Sequence, residues 1–239
     1  MLKRIIKRPI LSLLAWLLLV SFYLSVCLNI AFYKQVVQAL PLDSLRNILV
    51  FLSMPVVAFS VINIVLTLAS FLWLNRLLAC LFILMAASAQ YFIMTYGIII
   101  DRSMIANMVD TTPAETFALM TPRMVLTLGL SGIVAAIVAC WIKIKPTTPA
   151  LRSVLYRAAN VLVSVLLIVL VAAFFYKDYA SLFRNNKELV KALSPSNGIV
   201  ASWSWYSHQR LAHLPLVRIG EDAHRNPQMQ QEKRKNLTI

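Results

Sequence analysis

The chain has 239 residues, of which 60% are hydrophobic and 13% are Asp, Glu, Lys or Arg; 23 basic and 9 acidic residues give a formal net charge of +14. Soluble domains are about 25% charged and about 45–50% apolar, so with a mean hydropathy of +0.75 a soluble globular domain, a disordered chain and a collagen-like fibre are poor fits. The remaining class is an integral membrane protein, in which short basic groups beside apolar runs suit topology signals or anionic lipid, and no nucleic acid partner is expected.

Five uncharged runs succeed one another at 9–33, 47–75, 77–100, 124–142 and 158–176, of 25, 29, 24, 19 and 19 residues. About 20 apolar residues in a helix cross the hydrocarbon core, so the runs predict five transmembrane helices and an all-α membrane fold. Lys3, Arg4, Lys7 and Arg8 precede the first run like the n-region of a signal peptide. A signal h-region, however, is only about 7–15 residues long. This run is longer and lacks a small-x-small cleavage site before Lys34, so it reads as an uncleaved anchor.

With the N-terminus in the cytoplasm, the inside segments hold nine basic residues (Lys3, Arg4, Lys7, Arg8, Arg76, Lys143, Lys145, Arg152 and Arg157). The two outside loops before the tail hold four, Lys34, Arg46, Arg102 and Arg123. This bias follows the positive-inside rule. All nine acidic residues then fall outside, and five crossings place the C-terminus outside as well.

Pro55 stands in the second span and is expected to kink it, while Asn29, Asn63 and Gln90 are placed to bond across helices. No charged residue lies at mid-membrane depth, which argues against an ion-coupled transporter. Cys27, Cys80 and Cys140 lie in apolar stretches and read as small packing residues rather than ligands or bridges.

The outside loop between the third and fourth spans carries the polar chemistry. Asn107, Thr111 and Glu115 are spaced by four, which in a continuous helix puts an amide, a hydroxyl and a carboxylate on one face. Such a set suits a zwitterionic headgroup, the carboxylate meeting an ammonium and the amide and hydroxyl donating to phosphate oxygens. Thr112-Pro113-Ala114-Glu115 also fits a capping box, with Thr112 as N-cap, Pro113 at N1 and Glu115 at N3. The pattern alone leaves both readings open.

In the fourth span, Ser131, Ala135 and Ala139 and, beside them, Gly132, Ala136 and Cys140 form two strips of small residues suited to close helix packing. After Tyr176 the composition changes. Lys177 to Ser194 reads as an amphipathic helix with Leu182, Phe183, Leu189, Val190 and Leu193 on one side, able to lie on the membrane surface. Ser194-Pro195-Ser196-Asn197-Gly198 breaks it, and Trp203, Trp205 and Tyr206 follow as headgroup-level aromatics. The last residues, Asn236-Leu237-Thr238-Ile239, look like the opening of a buried strand.

No Walker, Rossmann, nucleophile-elbow or zinc-finger pattern is present. His208, His213 and His224 lack neighbours at ligand spacing, and the sequon at Asn236-Leu237-Thr238 is too short a pattern to carry weight.

Several stretches carry a resemblance: Ala39-Leu40-Pro41-Leu42-Asp43-Ser44-Leu45, the segment 51–60 around Met54-Pro55, the loop 101–115, the segment 176–185, and Ala201-Ser202-Trp203-Ser204-Trp205-Tyr206. Over its whole length the chain resembles the membrane portion of the enterobacterial lipid A phosphoethanolamine transferases, the family that includes the mobile colistin-resistance enzymes. The resemblance implies an inner-membrane anchor beside a periplasmic, alkaline-phosphatase-like α/β domain. There a threonine nucleophile and zinc take phosphoethanolamine from phosphatidylethanolamine, release diacylglycerol and pass the group to a lipid A phosphate.

None of that catalytic machinery is expected in these residues, which stop short of the family's first metal-binding carboxylate. Asn107, Thr111 and Glu115 match the family's asparagine, threonine and glutamate that help hold the donor headgroup. The implied organisation is a five-helix transmembrane domain at 1–176, a periplasmic bridging segment at 177–232, and the start of the catalytic domain at 233–239. A lipid carrier or flippase, and a plain anchor for another periplasmic domain, are the alternatives.

Overall fold

The computed structural model describes residues 8–112, 114–115, 120–145 and 149–212. They divide into one unit up to Trp205 and a second from Tyr206 onward. The expected strand start at 236–239, the domain boundary at 233, His213 and His224, and the first basic cluster up to Lys7 lie outside the described residues.

The chain enters through a short strand, β1 (Ile10–Ser12), whose last residue caps the following helix. The Ser12 hydroxyl accepts a hydrogen bond from the Ala15 amide at 3.2 Å and starts α1 (Leu13–Val26). A 3₁₀ turn at Cys27–Asn29 leads into α2 (Ile30–Ala39), so the first apolar span is Leu13–Ala39. Ser44 caps α3 (Leu45–Phe71), which runs through Pro55 as one helix and is the second span. The third span is α4 (Asn75–Tyr96), which ends at Gly97 in the left-handed conformation, φ 69°, where the absence of a Cβ removes the strain.

A short helix, α5 (Arg102–Asp110), stands in the loop after Gly97. The fourth span is composite: α6 (Pro122–Thr127), a π-helical stretch at Leu128–Val134, and α7 (Ala135–Trp141). β2 (Lys143–Lys145) follows and pairs parallel to β1, Leu11 opposite Ile144. This two-stranded ribbon is the one departure from the all-α expectation among the described residues, and three residues a side are too few for a pattern to show. The fifth span lies in α8 (Ala150–Asn185), followed by α9 (Lys187–Ala192) and α10 (Ser196–Ala212).

Each uncharged run thus sits within or largely overlaps one of five helices long and apolar enough to cross a membrane. The helices run past the runs because a charge ends an apolar stretch without ending a helix: long basic side chains reach the interface along their stems. The same effect corrects the expected amphipathic helix. Its first half, up to Asn185, is the end of α8, and only α9 is separate. Of its apolar side, Leu182 and Leu189 are buried, Phe183 and Leu193 are half-buried, and Val190 is exposed. The break falls at Ser194–Pro195, and Ser196, Asn197 and Gly198 already belong to α10.

Between helices in lipid, apolar side chains have no water to escape, so close packing and hydrogen bonds hold the bundle together. The fourth span supplies the close packing. Gly132, Ala136 and Ala139 are buried, and a Cβ on Gly132 would stand 3.3 Å from that of Ala87 on α4. The fully buried Trp16 donates its indole N–H to the Ala139 carbonyl at 2.9 Å, and the Tyr23 hydroxyl donates to the Ser131 carbonyl in the π-helical stretch at 2.7 Å. Cys80 and Cys140 face each other across α4 and α7, Sγ to Sγ 2.8 Å, as free thiols.

The three expected polar residues bond across elements. The Asn29 amide donates to the Ser194 carbonyl at 2.8 Å, and its Oδ1 accepts from the Ser194 amide at 2.8 Å. Gln90 accepts from the Ile30 amide at 2.9 Å and donates to the Cys27 carbonyl at 3.1 Å. Asn63 donates to Asn160 Oδ1 at 3.1 Å and to Ser164 Oγ at 2.9 Å, tying α3 to α8.

Candidate functional site

The loop after α4 is built by local chemistry. Gly97 turns the chain out of α4, and Ile100 is buried against Ala89 and Ala201, with Ile105 packed on the same cluster. Asp101 then caps α5: its Oδ1 accepts from the Met104 amide at 2.9 Å and the Ser103 hydroxyl at 2.6 Å. These bonds to the charged form, the Ser103 hydroxyl first, hold the Asp101 carboxyl below its ordinary pKa. α5 is therefore anchored at its start and along one side.

At its far end, α5 stops at Thr111, whose backbone is extended (φ −70°, ψ 128°). The Thr111 amide donates to the Asn107 carbonyl at 2.9 Å, and the Thr111 hydroxyl donates to the same oxygen. Of the two readings the pattern left open, the continuous helix that a shared face requires does not form, since α5 ends at Asp110. Thr112 precedes a proline, and the residue before proline is biased away from helical backbone. The capping box forms instead: Glu115 Oε2 accepts from the Thr112 amide at 2.9 Å, and the Glu115 amide donates to Thr112 Oγ1 at 3.4 Å. Pro113, expected at N1, lies outside the described residues.

Thr111 keeps an i→i−4 bond to Asn107, while Glu115 is held by the cap on Thr112 and not by a continuous helix. The Glu115 carboxylate lies against the Thr111–Thr112 peptide group, and Thr111 lies against the Asn107 carbonyl. Asn107 and Glu115 are exposed and Thr111 is half-buried. The bond from the Thr112 amide, with a smaller contribution from its hydroxyl, holds the Glu115 carboxyl below its ordinary pKa, so it is an anion at neutral pH. One sequence-level role changes. The Thr111 hydroxyl spends its proton on the Asn107 carbonyl and therefore offers lone pairs to a ligand, not a donor.

Sequence reasoning missed a neighbouring cavity of about 250 Å³, lined by Asp101, Arg102, Lys191 and Asn197 among others. The three predicted residues do not line it. Lys191 pairs with Glu188 at 2.8 Å and is held above its ordinary pKa by that bond, while the Asn197 Nδ2 is buried without a partner. No short motif in the sequence signals a cavity assembled from α5, α9 and α10. Among the described residues no group of three His, Cys, Asp or Glu side chains could hold a metal ion, so these residues supply no ligand set for the zinc that the resemblance implies.

Five helices long and apolar enough to cross a membrane, with a capped and anchored polar loop between the third and fourth, define an integral membrane protein. Residues 58–210 match the family model described as phosphoethanolamine transferase EptA/EptB, and the chain belongs to that family. It is 82% identical over all 239 residues to the phosphoethanolamine transferase EptA of Escherichia coli K12, covering 44% of that protein. It is also 27% identical over 177 residues to the phosphatidylethanolamine transferase Mcr-1 of Escherichia coli, spanning 74% of this chain and 32% of that one. The solved integral membrane lipooligosaccharide phosphoethanolamine transferase A of Neisseria meningitidis superposes with a TM-score of 0.80 at 31% identity, over 87% of this chain and 39% of the other. The chain therefore spans less than half the length of these relatives.

Proposed function

We propose that this chain is the membrane-embedded and donor-binding part of an inner-membrane enzyme that moves phosphoethanolamine from phosphatidylethanolamine to lipid A. The single observation that carries the donor role is the capping bond that holds the Glu115 carboxylate against the Thr111–Thr112 peptide. The loop so presents an anionic carboxylate and the Thr111 hydroxyl oxygen as acceptors, and on the last turn of α5 the exposed Asn107 carboxamide as a donor. In this reading Glu115 and Thr111 accept from the ammonium of the headgroup, and Asn107 donates to a phosphate oxygen. Met108 and Val109, exposed beside Asn107, let α5 lie at the lipid surface. The positive-inside bias supports a cytoplasmic N-terminus, and in that reading the loop faces the periplasm.

Phosphoryl transfer also needs a nucleophile and a group that neutralises charge on the transferring phosphorus. We assign both, the threonine and the zinc, to a further domain beyond these residues. Phosphoethanolamine on lipid A, read by mass spectrometry from cells expressing either the complete reading frame or residues 1–239 alone, tests the proposal. Modification with the complete frame only is the expected result. Unmodified lipid A from both, with both proteins present in the membrane, would overturn the acceptor assignment.

A further inference from the structure

At the end of the bundle away from the Asp101–Glu115 loop, about 33 Å along α4 at about 1.5 Å per residue, lies a cavity of about 630 Å³. Among the described residues three cationic side chains line it: Arg76 at the start of α4, Lys145 at the end of β2, and Arg157 on α8. None of the described acidic residues lines it, and the sequence holds no Asp or Glu in 44–100 or 116–177. Arg157 is fixed in place. Its Nη1 donates to the Ser70 carbonyl at 3.2 Å, its guanidinium lies 4.9 Å from the centre of the Phe71 ring, and its Nε is buried without a partner. The Arg76 Nη2 donates to the Ile142 carbonyl at 3.0 Å.

Each guanidinium thus uses one donor on a helix-end carbonyl and keeps others in hand, and the Lys145 ammonium is exposed. Three like charges around one cavity repel one another until an anion enters. Two further features say what kind of anion. Trp73 stands at the rim, 90% exposed and with φ 60°, a left-handed backbone that a bulky residue rarely adopts; an indole so presented suits the headgroup level of a bilayer. A second cavity of about 260 Å³ shares Leu13, Ser153 and Arg157 with the first and adds Leu14 and Leu17, an apolar surface next to the cationic one.

We propose that Arg76, Lys145 and Arg157 bind the phosphate of an anionic glycerophospholipid, with Trp73 at the headgroup level and an acyl chain against Leu14 and Leu17. The site is separate from the donor site and stands whether or not the transferase reading holds. With the N-terminus in the cytoplasm it faces the cytoplasmic leaflet, where basic pockets between helices meet anionic headgroups.

Native mass spectrometry of the purified, delipidated protein tests this, with phosphatidylglycerol, phosphatidylcholine and inorganic phosphate as probes. The expected result is at least about tenfold tighter binding of phosphatidylglycerol than of phosphatidylcholine, with no competition from inorganic phosphate. Arg157→Gln and Lys145→Gln each lower phosphatidylglycerol binding several-fold. Arg157→Lys, which keeps the charge, and Lys34→Gln, which removes an exposed charge at the other end, retain it. Lys145 is exposed, so Lys145→Gln leaves both arginine–carbonyl bonds in place and keeps the test sound even where an arginine variant unfolds. Equal binding of the two lipids, or wild-type binding by Lys145→Gln, would overturn the proposal. Competition by inorganic phosphate would overturn the lipid as the source of the anion.

Discussion

Thr112 and Glu115 hold each other across a single helical turn, the Thr112 amide donating to Glu115 Oε2 at 2.9 Å and the Glu115 amide donating to Thr112 Oγ1 at 3.4 Å. The reciprocal pair fixes the carboxylate against the peptide that joins Thr111 to Thr112. A residue that looks like a simple helix cap is thereby also held where a ligand can reach it. The capping and headgroup readings of Glu115 need not exclude each other.

The pair makes the loop sensitive to pH, with a definite sign. The Glu115 carboxyl is depressed in the folded state by its bond from the Thr112 amide. Its contribution is therefore fully present above the ordinary carboxylate pKa and lost as pH falls through the depressed value. Hydrogen–deuterium exchange of the Thr112 amide, corrected for the intrinsic effect of pH, should be slow at neutral pH and accelerate in that acid window. In Glu115→Gln the acid-dependent step should vanish. A Thr112 amide that exchanges alike in both proteins at every pH would show that the capping bond is absent.

The link between α3 and α8 rests on a cluster of amides. Asn63 is 1% exposed and bonds Asn160 and Ser164, while the Asn160 amide donates back to Asn63 Oδ1 at 3.2 Å and to Thr67 Oγ1 at 2.8 Å. Interhelical hydrogen bonds in membranes average about 0.6 kcal/mol, so Asn63→Leu, which loses its three bonds to Asn160 and Ser164, should cost about 2 kcal/mol. The double variant Asn63→Leu/Asn160→Leu should be less destabilised than the sum of its parts. Unfolding midpoints in mixed micelles measure both. Strict additivity would mean that the two amides do not interact.

Cys80 and Cys140 were legible only as small packing residues, yet their sulfurs lie 2.8 Å apart. Treatment with a copper(II) phenanthroline oxidant should join them, each thiol giving up its proton and one electron to the metal. Two of the three thiols should then become unreactive to maleimide, with Cys27 left. Reductant should restore all three. Three reactive thiols after oxidation would place α4 and α7 further apart.

The spans were legible because apolar runs of membrane length have few other uses. Asn29, Asn63 and Gln90 were legible for the same reason, since an amide in an apolar run needs a partner across the interface. Asn160 was passed over, though the Asn63 cluster depends on it. It lies close to Arg157, at the edge of the fifth run, where an amide excites no comment. The outline of the loop was readable from Thr112-Pro113-Ala114-Glu115, but its geometry was not: spacing by four predicts one face only while the helix continues, and it stops at Thr111. The cation-lined cavity was out of reach for a different reason. Arg76, Lys145 and Arg157 are spread over 82 positions, and only the packing of the third and fifth spans with β2 assembles them.

On the proposed function, Glu115 holds the donor headgroup. Lipid A from cells expressing the complete reading frame, wild type or Glu115→Ala, measured by mass spectrometry alongside the amount of each protein in the membrane, is the decisive test of that contact. Unchanged membrane insertion with phosphoethanolamine addition lowered at least about tenfold, the loss expected when a charged contact to the ammonium is removed, is the predicted result. Wild-type modification by Glu115→Ala would contradict the claim and leave Glu115 as a helix cap alone.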